Sequence, residues 1–423
     1  MAIFRHIGRW WSRVVPVVAV VLLGLFWGRE VPVAGSVIAA LGLIAAVLTA
    51  VHHAEVVAHR VGEPFGSVVL AVAVTVIEVG LIVMLMAADP VGNTTLARDS
   101  VFAVVMMTMN GVVGLSLLVA ASRHGRRGMA VFNSEGAGSA LGAVILLVGL
   151  TLILPRYTTS ATGLGFSPAQ LGFVGVASLA VYVLFVFTQT VQHRNFFLPP
   201  KPVTLKTTAI PESVVVGMAP TTVTTPAVMT PTAVMEAVTN AAVTNDSTTV
   251  AMVSVTPGLS DDDDDLTTDP PTNGETWLSV AMLLISLVAV VGLAKVENAA
   301  IKSVVDYWGF PSGVVGVVIA LLVLLPESIA AVKAALRNRA QISLNLAYGS
   351  AMASIGLTIP VLALLSIWMP GRLSLGLGPV DIALFTISVG VSILTVVPGR
   401  AKPLHGGLHL ALFATFIFLT FVP

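Results

Sequence analysis

A run of mostly apolar residues from Val61 to Leu85 is long enough to cross a bilayer, and it carries a carboxylate, Glu78, near its middle. The run reads VGEPFGSVVLAVAVTVIEVGLIVML. A charged side chain at the centre of a membrane costs about 2.5 to 3.5 kcal/mol on insertion scales, so it usually faces a partner or a polar cavity. Glu78 therefore restricts the chain to folds that protect a polar group inside the membrane.

A second run of the same design, GFPSGVVGVVIALLVLLPESIAAV, extends from Gly309 to Val332 and carries Glu327. Alone, the G-x-P-x-G pattern that begins each run indicates a helix start with proline in its first turn. Its repetition before a second membrane carboxylate indicates a duplicated element. The two copies of the pattern are formed by Gly62, Pro64 and Gly66 and by Gly309, Pro311 and Gly313. In the helices that follow, Gly114-Leu115-Ser116 matches Gly356-Leu357-Thr358, and Thr108 falls opposite Ser350.

The composition, 56% hydrophobic and 10% charged residues, excludes a soluble globular chain and predicts an all-α membrane protein. The first apolar run, Val14 to Trp27, has no small-residue cleavage site and is predicted to be retained as a helix. The chain has no cysteine, which excludes disulfides and thiol sites. Eleven membrane helices are predicted at 14–28, 34–51, 67–88, 100–121, 137–154, 171–191, 277–294, 312–335, 342–368, 380–398 and 404–422.

The helix order predicts one accessory helix followed by two sets of five. Glu78 lies on the second helix of the first set and Glu327 on the second helix of the second set. Because five is odd, the second set is expected to cross the membrane in the opposite sense, as in the inverted repeats of many secondary transporters. The predicted domains are an accessory helix in 1–30, repeats in 31–194 and 277–423, and a linker in 195–276.

The basic residues predict the orientation of these helices. Of the 21 lysines and arginines, fifteen fall in one set of alternate loops and six in the other. The positive-inside rule then predicts a cytoplasmic N-terminus and an external C-terminus in a bacterial inner membrane.

The linker is rich in Thr, Val, Pro and Ala and contains five consecutive aspartates, Asp261, Asp262, Asp263, Asp264 and Asp265. This composition is typical of a disordered cytoplasmic segment. The aspartates are either a solvated spacer or a calcium-sensitive regulatory element. The β-branched residues between Val203 and Val255 leave a strand-forming insertion as an alternative.

The second helix of the chain ends in a group of titratable residues. His52, Glu55 and His59 share one helix face, and Glu63 follows them. Such a face is suited to a cytoplasmic entrance, a proton relay or a metal site. The alternative is an interfacial helix end whose polar groups meet headgroups and water.

The two membrane carboxylates suggest a mechanism. Glu78 and Glu327 are expected to meet near the midplane, where a cation or protons neutralise them in competition. Pro326 removes a backbone donor and is expected to free carbonyl oxygens beside Glu327. Supporting oxygen ligands are predicted at Thr75, Thr108, Asn110, Asn345, Ser350 and Ser354, although each of these is also a common interhelical hydrogen-bond partner.

Three segments carry a family resemblance: HAEVVAHRVGEPFGSVVLAVAVTVIEVGLI, LLPESIAAVKAALRN and GGLHLALFA. They resemble the bacterial calcium/sodium/potassium:proton antiporters of the calcium:cation antiporter superfamily, which also have an acidic linker. The resemblance implies two inverted five-helix repeats, essential carboxylates at Glu78 and Glu327, and exchange of Ca2+, Na+ or K+ for protons. The superfamily often has Asn three residues before each such Glu, whereas this chain has Thr75 and Leu324.

The predicted protein is thus a secondary transporter rather than an enzyme, with no cofactor and no nucleic-acid partner. It contacts the lipid bilayer and carries inorganic cations, with Glu78 and Glu327 as its metal ligands. The rivals are a passive cation channel with an acidic selectivity site, an intramembrane metal enzyme using His52, Glu55 and His59, and a sensor role for the acidic run. The sequence makes no prediction of oligomeric state.

Overall fold

The computed structural model describes residues 2–29, 31–62, 65–90, 92–123, 128–161, 164–200, 271–368 and 373–423. These residues form eleven long helices, which confirms the predicted all-α fold. Ten are long and apolar enough to cross a membrane, and the first contributes a shorter apolar stretch, Trp10–Phe26. The helices are α1 (Ala2–Phe26), α2 (Val33–Val61), α3 (Phe65–Ala88), α4 (Leu96–Ser122), α5 (Ser134–Arg156), α6 (Pro168–Gln192), α7 (Asn273–Trp308), α8 (Gly313–Leu336), α9 (Ala340–Leu365), α10 (Pro379–Val396) and α11 (Pro403–Phe421).

Helix α7 is much longer than the predicted segment 277–294. It begins at a capping box, in which the Thr272 hydroxyl accepts a hydrogen bond from the Glu275 amide and the Glu275 carboxylate accepts one from the Thr272 amide. It ends at Gly309, whose φ of 65° is left-handed. The predicted segment ends just before Lys295, where the hydropathy falls, but the helix continues for several turns. Its 36 residues span roughly 54 Å, well beyond the bilayer core.

One end of the molecule, the strand end, is defined by two short strands, β1 (Ala130–Val131) and β2 (Arg400–Ala401), which pair antiparallel. This pair joins the α4–α5 connection to the α10–α11 connection. The Arg60 guanidinium donates a 2.6 Å hydrogen bond to Asn273 Oδ1 at the same end. Helix α2 therefore ends where α7 begins, and the first helices of the two five-helix sets run in opposite directions.

The opposite end contains the α3–α4, α5–α6, α7–α8 and α9–α10 connections. The Ser374 amide donates to the Thr94 carbonyl, and the Gly376 amide donates to the Leu164 carbonyl at 2.8 Å. Phe310, between α7 and α8, packs edge-to-face on Phe421 at the end of α11. The connections thus alternate between two ends, as in a multi-pass membrane protein. The strand end is the side that the basic residues predict to be cytoplasmic.

The third helix of each five-helix set, α4 and α9, contains a π-helical turn, at Met107–Val112 and Ser354–Thr358 respectively. Further π-helical turns lie in α5 (Gly149–Ile153) and α6 (Thr188–Gln192). Such turns are rare and occur frequently at functional sites. Their presence in α4 and α9 makes the third helices of the two sets alike in local geometry.

The third helix of each set meets the fifth helix of the other set at a glycine. Gly114 of α4 lies against His409 of α11, and Gly356 of α9 lies against Tyr182 of α6. These are the two glycines that the sequence match paired. Small residues let membrane helices approach closely, because packing rather than water exclusion drives their association.

The contact between α4 and α11 is closest at Gly406. A methyl group at this position would lie 2.6 Å from the Leu118 amide nitrogen and 2.7 Å from the Gly114 carbonyl oxygen. Both are backbone atoms, so the helices would have to separate to make room.

We therefore expect Gly406→Ala to destabilise the purified protein by about 1 to 3 kcal/mol, as overpacking does in tight interfaces. The control is Gly407→Ala, because a methyl group there has nothing within 4 Å. Thermal unfolding in detergent measures both variants. Equal midpoints for the two would contradict the close approach of α4 and α11.

Candidate functional site

A cavity of about 230 Å³ lies among α3, α4, α6, α8 and α9, and both predicted carboxylates, Glu78 and Glu327, line it. Its walls are mainly apolar, and it extends from Glu78 towards Leu70 of α3 and Ile342 of α9. That direction leads to the strand end, where α3 and α9 begin. The other polar residues that line it are Thr75, Tyr182, Gln189, Asn345, Ser350 and Ser354.

Glu78 is held by hydroxyl groups of α9. Its side chain is 1% exposed. The Ser354 hydroxyl donates to Glu78 Oε1 at 2.5 Å, and the Thr358 hydroxyl donates to Oε2 at 3.1 Å. Hydrogen bonds donated to a carboxylate stabilise its negative charge. Both carboxylate oxygens therefore have a hydroxyl partner.

The two hydroxyl donors mark the ends of the π-helical turn Ser354–Thr358. Ser354 was predicted from the sequence as a ligand, whereas Thr358 was noted only as part of the repeat match. The spacing of the two residues was the signal that could have found it, because residues four apart share a helix face. Tyr182 and Gln189, which line the cavity from α6, were also missed.

Glu327 has a different environment. Its Oε2 is buried and makes no hydrogen bond with any part of the chain that the structure describes. Its negative charge is repelled by those of Glu55 and Glu78. Helix α8 is continuous through Pro326, and the missing amide hydrogen of this proline leaves the Leu322 carbonyl without its usual helical donor. The site thus combines one satisfied carboxylate with one whose oxygen is unpartnered.

The other predicted ligands divide into two groups. Thr75, Asn345 and Ser350 line the cavity with Ser354. Asn345 already uses its amide, since Nδ2 donates to the Phe197 carbonyl and Oδ1 accepts from Gln341 Nε2.

Thr108 and Asn110 do not line the cavity. The Thr108 hydroxyl donates to the Val104 carbonyl of its own helix at 2.8 Å. Asn110 belongs to a separate buried network, in which its Nδ2 donates to the Ser388 hydroxyl and its Oδ1 lies 3.2 Å from His409 Nδ1. Helix α4 turns Val104 towards the cavity, and the sequence did not show that these two polar side chains face elsewhere.

The titratable face at the end of α2 lies at the strand end. His52 packs near Trp11, with ring centroids 5.7 Å apart, while Glu55 and His59 are exposed. Glu55 interacts electrostatically with Lys333 as well as with Glu327. Within the described ranges, no three His, Asp or Glu side chains group closely enough to hold a metal ion. Glu63 and Asp261 to Asp265 lie outside the described residues.

The chain matches the family model of the sodium/calcium exchanger protein over residues 31–191 and 278–422. These two ranges correspond to the two five-helix sets. The chain therefore belongs to the sodium/calcium exchanger family, whose members are secondary transporters that exchange cations.

Two relatives and one solved structure illustrate this membership. The chain is 34% identical to the ionic transporter y4hA of Sinorhizobium fredii, over 98% of this chain and 96% of y4hA. It is 30% identical to the sodium-potassium/proton antiporter ChaA of Escherichia coli, over 97% of this chain and 96% of ChaA. The solved structure of native YfkE has the same fold, with a TM-score of 0.62, 16% identity and coverage of 98% of this chain and 99% of YfkE.

The hydroxyl donors predict a measurable effect on cation binding. In Ser354→Ala, Glu78 loses a contact that stabilises its charge and fixes its orientation. Hydrogen bonds to charged groups contribute about 1.5 to 3 kcal/mol, so we expect cation affinity to fall at least about tenfold.

Titration calorimetry with Ca2+ and with Na+ measures the affinity of the purified protein. The control is Ser139→Ala, whose hydroxyl is exposed and donates only to the Glu135 carbonyl of its own helix. Wild-type affinity in Ser354→Ala would show that this hydroxyl has no part in the site.

Proposed function

We propose that this protein exports Ca2+, with Na+ and K+ as alternative substrates, in exchange for entering protons. The observation that carries the proposal is the presence of Glu78 and Glu327 in one cavity, inside a chain of membrane-spanning helices. Two carboxylates in an apolar setting need positive charge, and either a divalent cation or protons can supply it.

Competition for these carboxylates accounts for exchange. When Ca2+ is bound, the two carboxylates neutralise it together with hydroxyl and carbonyl oxygens. When Ca2+ leaves, protons replace it on the same oxygens. The empty, doubly charged site is unfavourable in the membrane, so the protein changes conformation only when it is loaded.

The oxygen ligands suit hard cations. Ca2+ takes six to eight oxygen ligands in flexible geometry, and the cavity offers carboxylates together with the hydroxyls of Thr75, Ser350 and Ser354. ChaA is named as a sodium-potassium/proton antiporter, and YfkE is described as a Ca2+/H+ antiporter. These names support a cation:proton exchanger and keep both monovalent and divalent substrates in the proposal.

The cavity suggests which side of the membrane the site faces. It extends towards the strand end, which is predicted to be cytoplasmic, so the described conformation is proposed to face inward. Glu55 lies on this side and interacts electrostatically with Glu327 and Lys333. A carboxylate at that place would attract cations from the cytoplasm. The positive charge of Lys333 would compete with those cations for Glu55.

The charge balance sets the energetics of transport. Exchange of two protons for one Ca2+ moves no net charge. Each additional proton couples the exchange to the membrane potential, at about 2.3 kcal/mol per charge per 100 mV.

Glu78→Gln and Glu327→Gln are each expected to abolish cation-driven proton flux, because an amide can neither bind a proton nor neutralise a cation. The measurement is proton flux in reconstituted vesicles under imposed gradients of Ca2+, Na+, K+ and Mg2+. The same panel ranks the substrates. Glu135→Gln is the matched control, since Glu135 is an exposed carboxylate at the start of α5.

Two results would overturn the proposal. Normal exchange in either glutamate variant would remove that residue from the site. Cation flux without proton counter-movement in the wild-type protein would favour the passive channel instead.

A further inference from the structure

Besides Glu78 and Glu327, Glu297 is a glutamate buried within a membrane-spanning helix, and it does not line the cavity. It belongs to α7 and is 4% exposed. Its Oε1 is buried and makes no hydrogen bond within the described residues. A carboxylate buried in a membrane with an unpartnered oxygen is a candidate functional group.

Helix contacts place Glu297 on the far side of Glu78 from the cavity. Gly80 of α3 lies against Val291 of α7, and further along both helices Asp89 forms a 2.8 Å ion pair with Lys302. The two helices therefore run in the same direction. At 1.5 Å per residue, Glu297 lies roughly 12 Å beyond the level of Glu78, towards the opposite end of the molecule. The cavity extends from Glu78 in the opposite direction, towards the strand end.

The surface of α7 that carries Glu297 faces α2. Ser286 and Leu293 share this buried surface, with the Ser286 hydroxyl 3.5 Å from Thr49 and Leu293 against Gly42. Because α2 and α7 are antiparallel, Glu297 falls beside the stretch of α2 that precedes Gly42. That stretch has no titratable residue: from Val33 to Val51, α2 contains none.

The charged groups near this level are otherwise engaged. Lys295 lies over the Trp27 ring, 4.6 Å from its centroid, and Lys302 is paired with Asp89. Arg29, after α1, forms no ion pair with Glu297 within the described chain, and the remaining carboxylate of α3, Glu78, is bonded to hydroxyls. Among the described residues, therefore, no basic side chain forms an ion pair with Glu297.

The surroundings decide which ligand Glu297 can take. Ca2+ needs six to eight oxygens and Na+ or K+ also needs several, but Glu297 Oε1 has no hydrogen-bond partner among the described residues. No three acidic or imidazole side chains gather around one point in the described part of the chain. A proton needs a single oxygen and removes the whole charge.

We propose that Glu297 is a proton-binding site of the exchanger, which takes up protons from the end of the molecule opposite the cavity. This inference rests on the proposed cation:proton exchange. Protonation forms one O–H bond on the carboxylate, and release of the proton restores the charge. Cations reach Glu78 through the cavity, while protons also pass Glu297, so the two substrates use partly separate routes.

Vesicles that contain the full-length protein test this assignment with two measurements. In Glu297→Gln, cation-driven proton flux is expected to fall at least about tenfold, since proton-transfer groups typically contribute at least 100-fold. Exchange of isotopic Ca2+ for Ca2+, or of Na+ for Na+, involves no net proton movement and should be unchanged. Glu135→Gln should leave both activities unchanged, and Glu78→Gln should lose both.

Other outcomes separate the alternatives. Unchanged proton flux in Glu297→Gln, or equal loss of both activities, overturns the assignment while leaving the proposed function intact. Absence of proton flux in the wild-type protein overturns the proposed function itself.

A spectroscopic measurement covers the case in which the variant misfolds. Infrared difference spectra of the Glu78→Gln, Glu327→Gln double variant should still show a protonated carboxylic acid that titrates, and adding Glu297→Gln should remove it. Absence of that signal from the double variant overturns the assignment.

Discussion

The hydrogen bonds from Ser354 and Thr358 to Glu78 are the interaction on which the rest of the structure depends. They join the second helix of the first set to the third helix of the second set. A buried carboxylate without partners would be strongly unfavourable in a membrane. The two five-helix sets are thus joined at a buried carboxylate.

The two carboxylates of the cavity each lie on the second helix of their set but differ in their surroundings. Glu78 has a hydroxyl on each oxygen, whereas Glu327 Oε2 has no partner among the described residues. The π-helical turn of α9 carries these hydroxyls, while the turn of α4 directs Asn110 to His409 instead. The fifth helices of the two sets also differ in what they contact. Helix α6 lines the cavity, whereas α11 packs on α4, where Phe102 and Phe416 meet edge-to-face.

The sequence predicted the number and order of the helices and the helices that carry Glu78 and Glu327, because long apolar runs and a rare charge within them are unambiguous signals. It was less reliable for helix ends, as α7 shows, since capping and helix packing rather than hydropathy fix them. It assigned Asn110 to the ion site because polar residues on membrane helices look alike in a sequence. Only the packing of α4 distinguishes a side chain that faces the cavity from one that faces α10 and α11. Glu297 was overlooked because its neighbours Lys295 and Lys302 made that stretch look like the end of a membrane segment.

The pairing of β1 with β2 has a practical meaning. Two backbone segments that are far apart in sequence, Ala130–Val131 and Arg400–Ala401, are joined by a ladder at one end of the molecule. The ladder ties the α4–α5 connection to the α10–α11 connection, which makes it a convenient reference point for distance measurements. Because the chain has no native cysteine, spectroscopic labels can be introduced one pair at a time. Distances measured from this reference point would show which helices move when the cation is exchanged for protons.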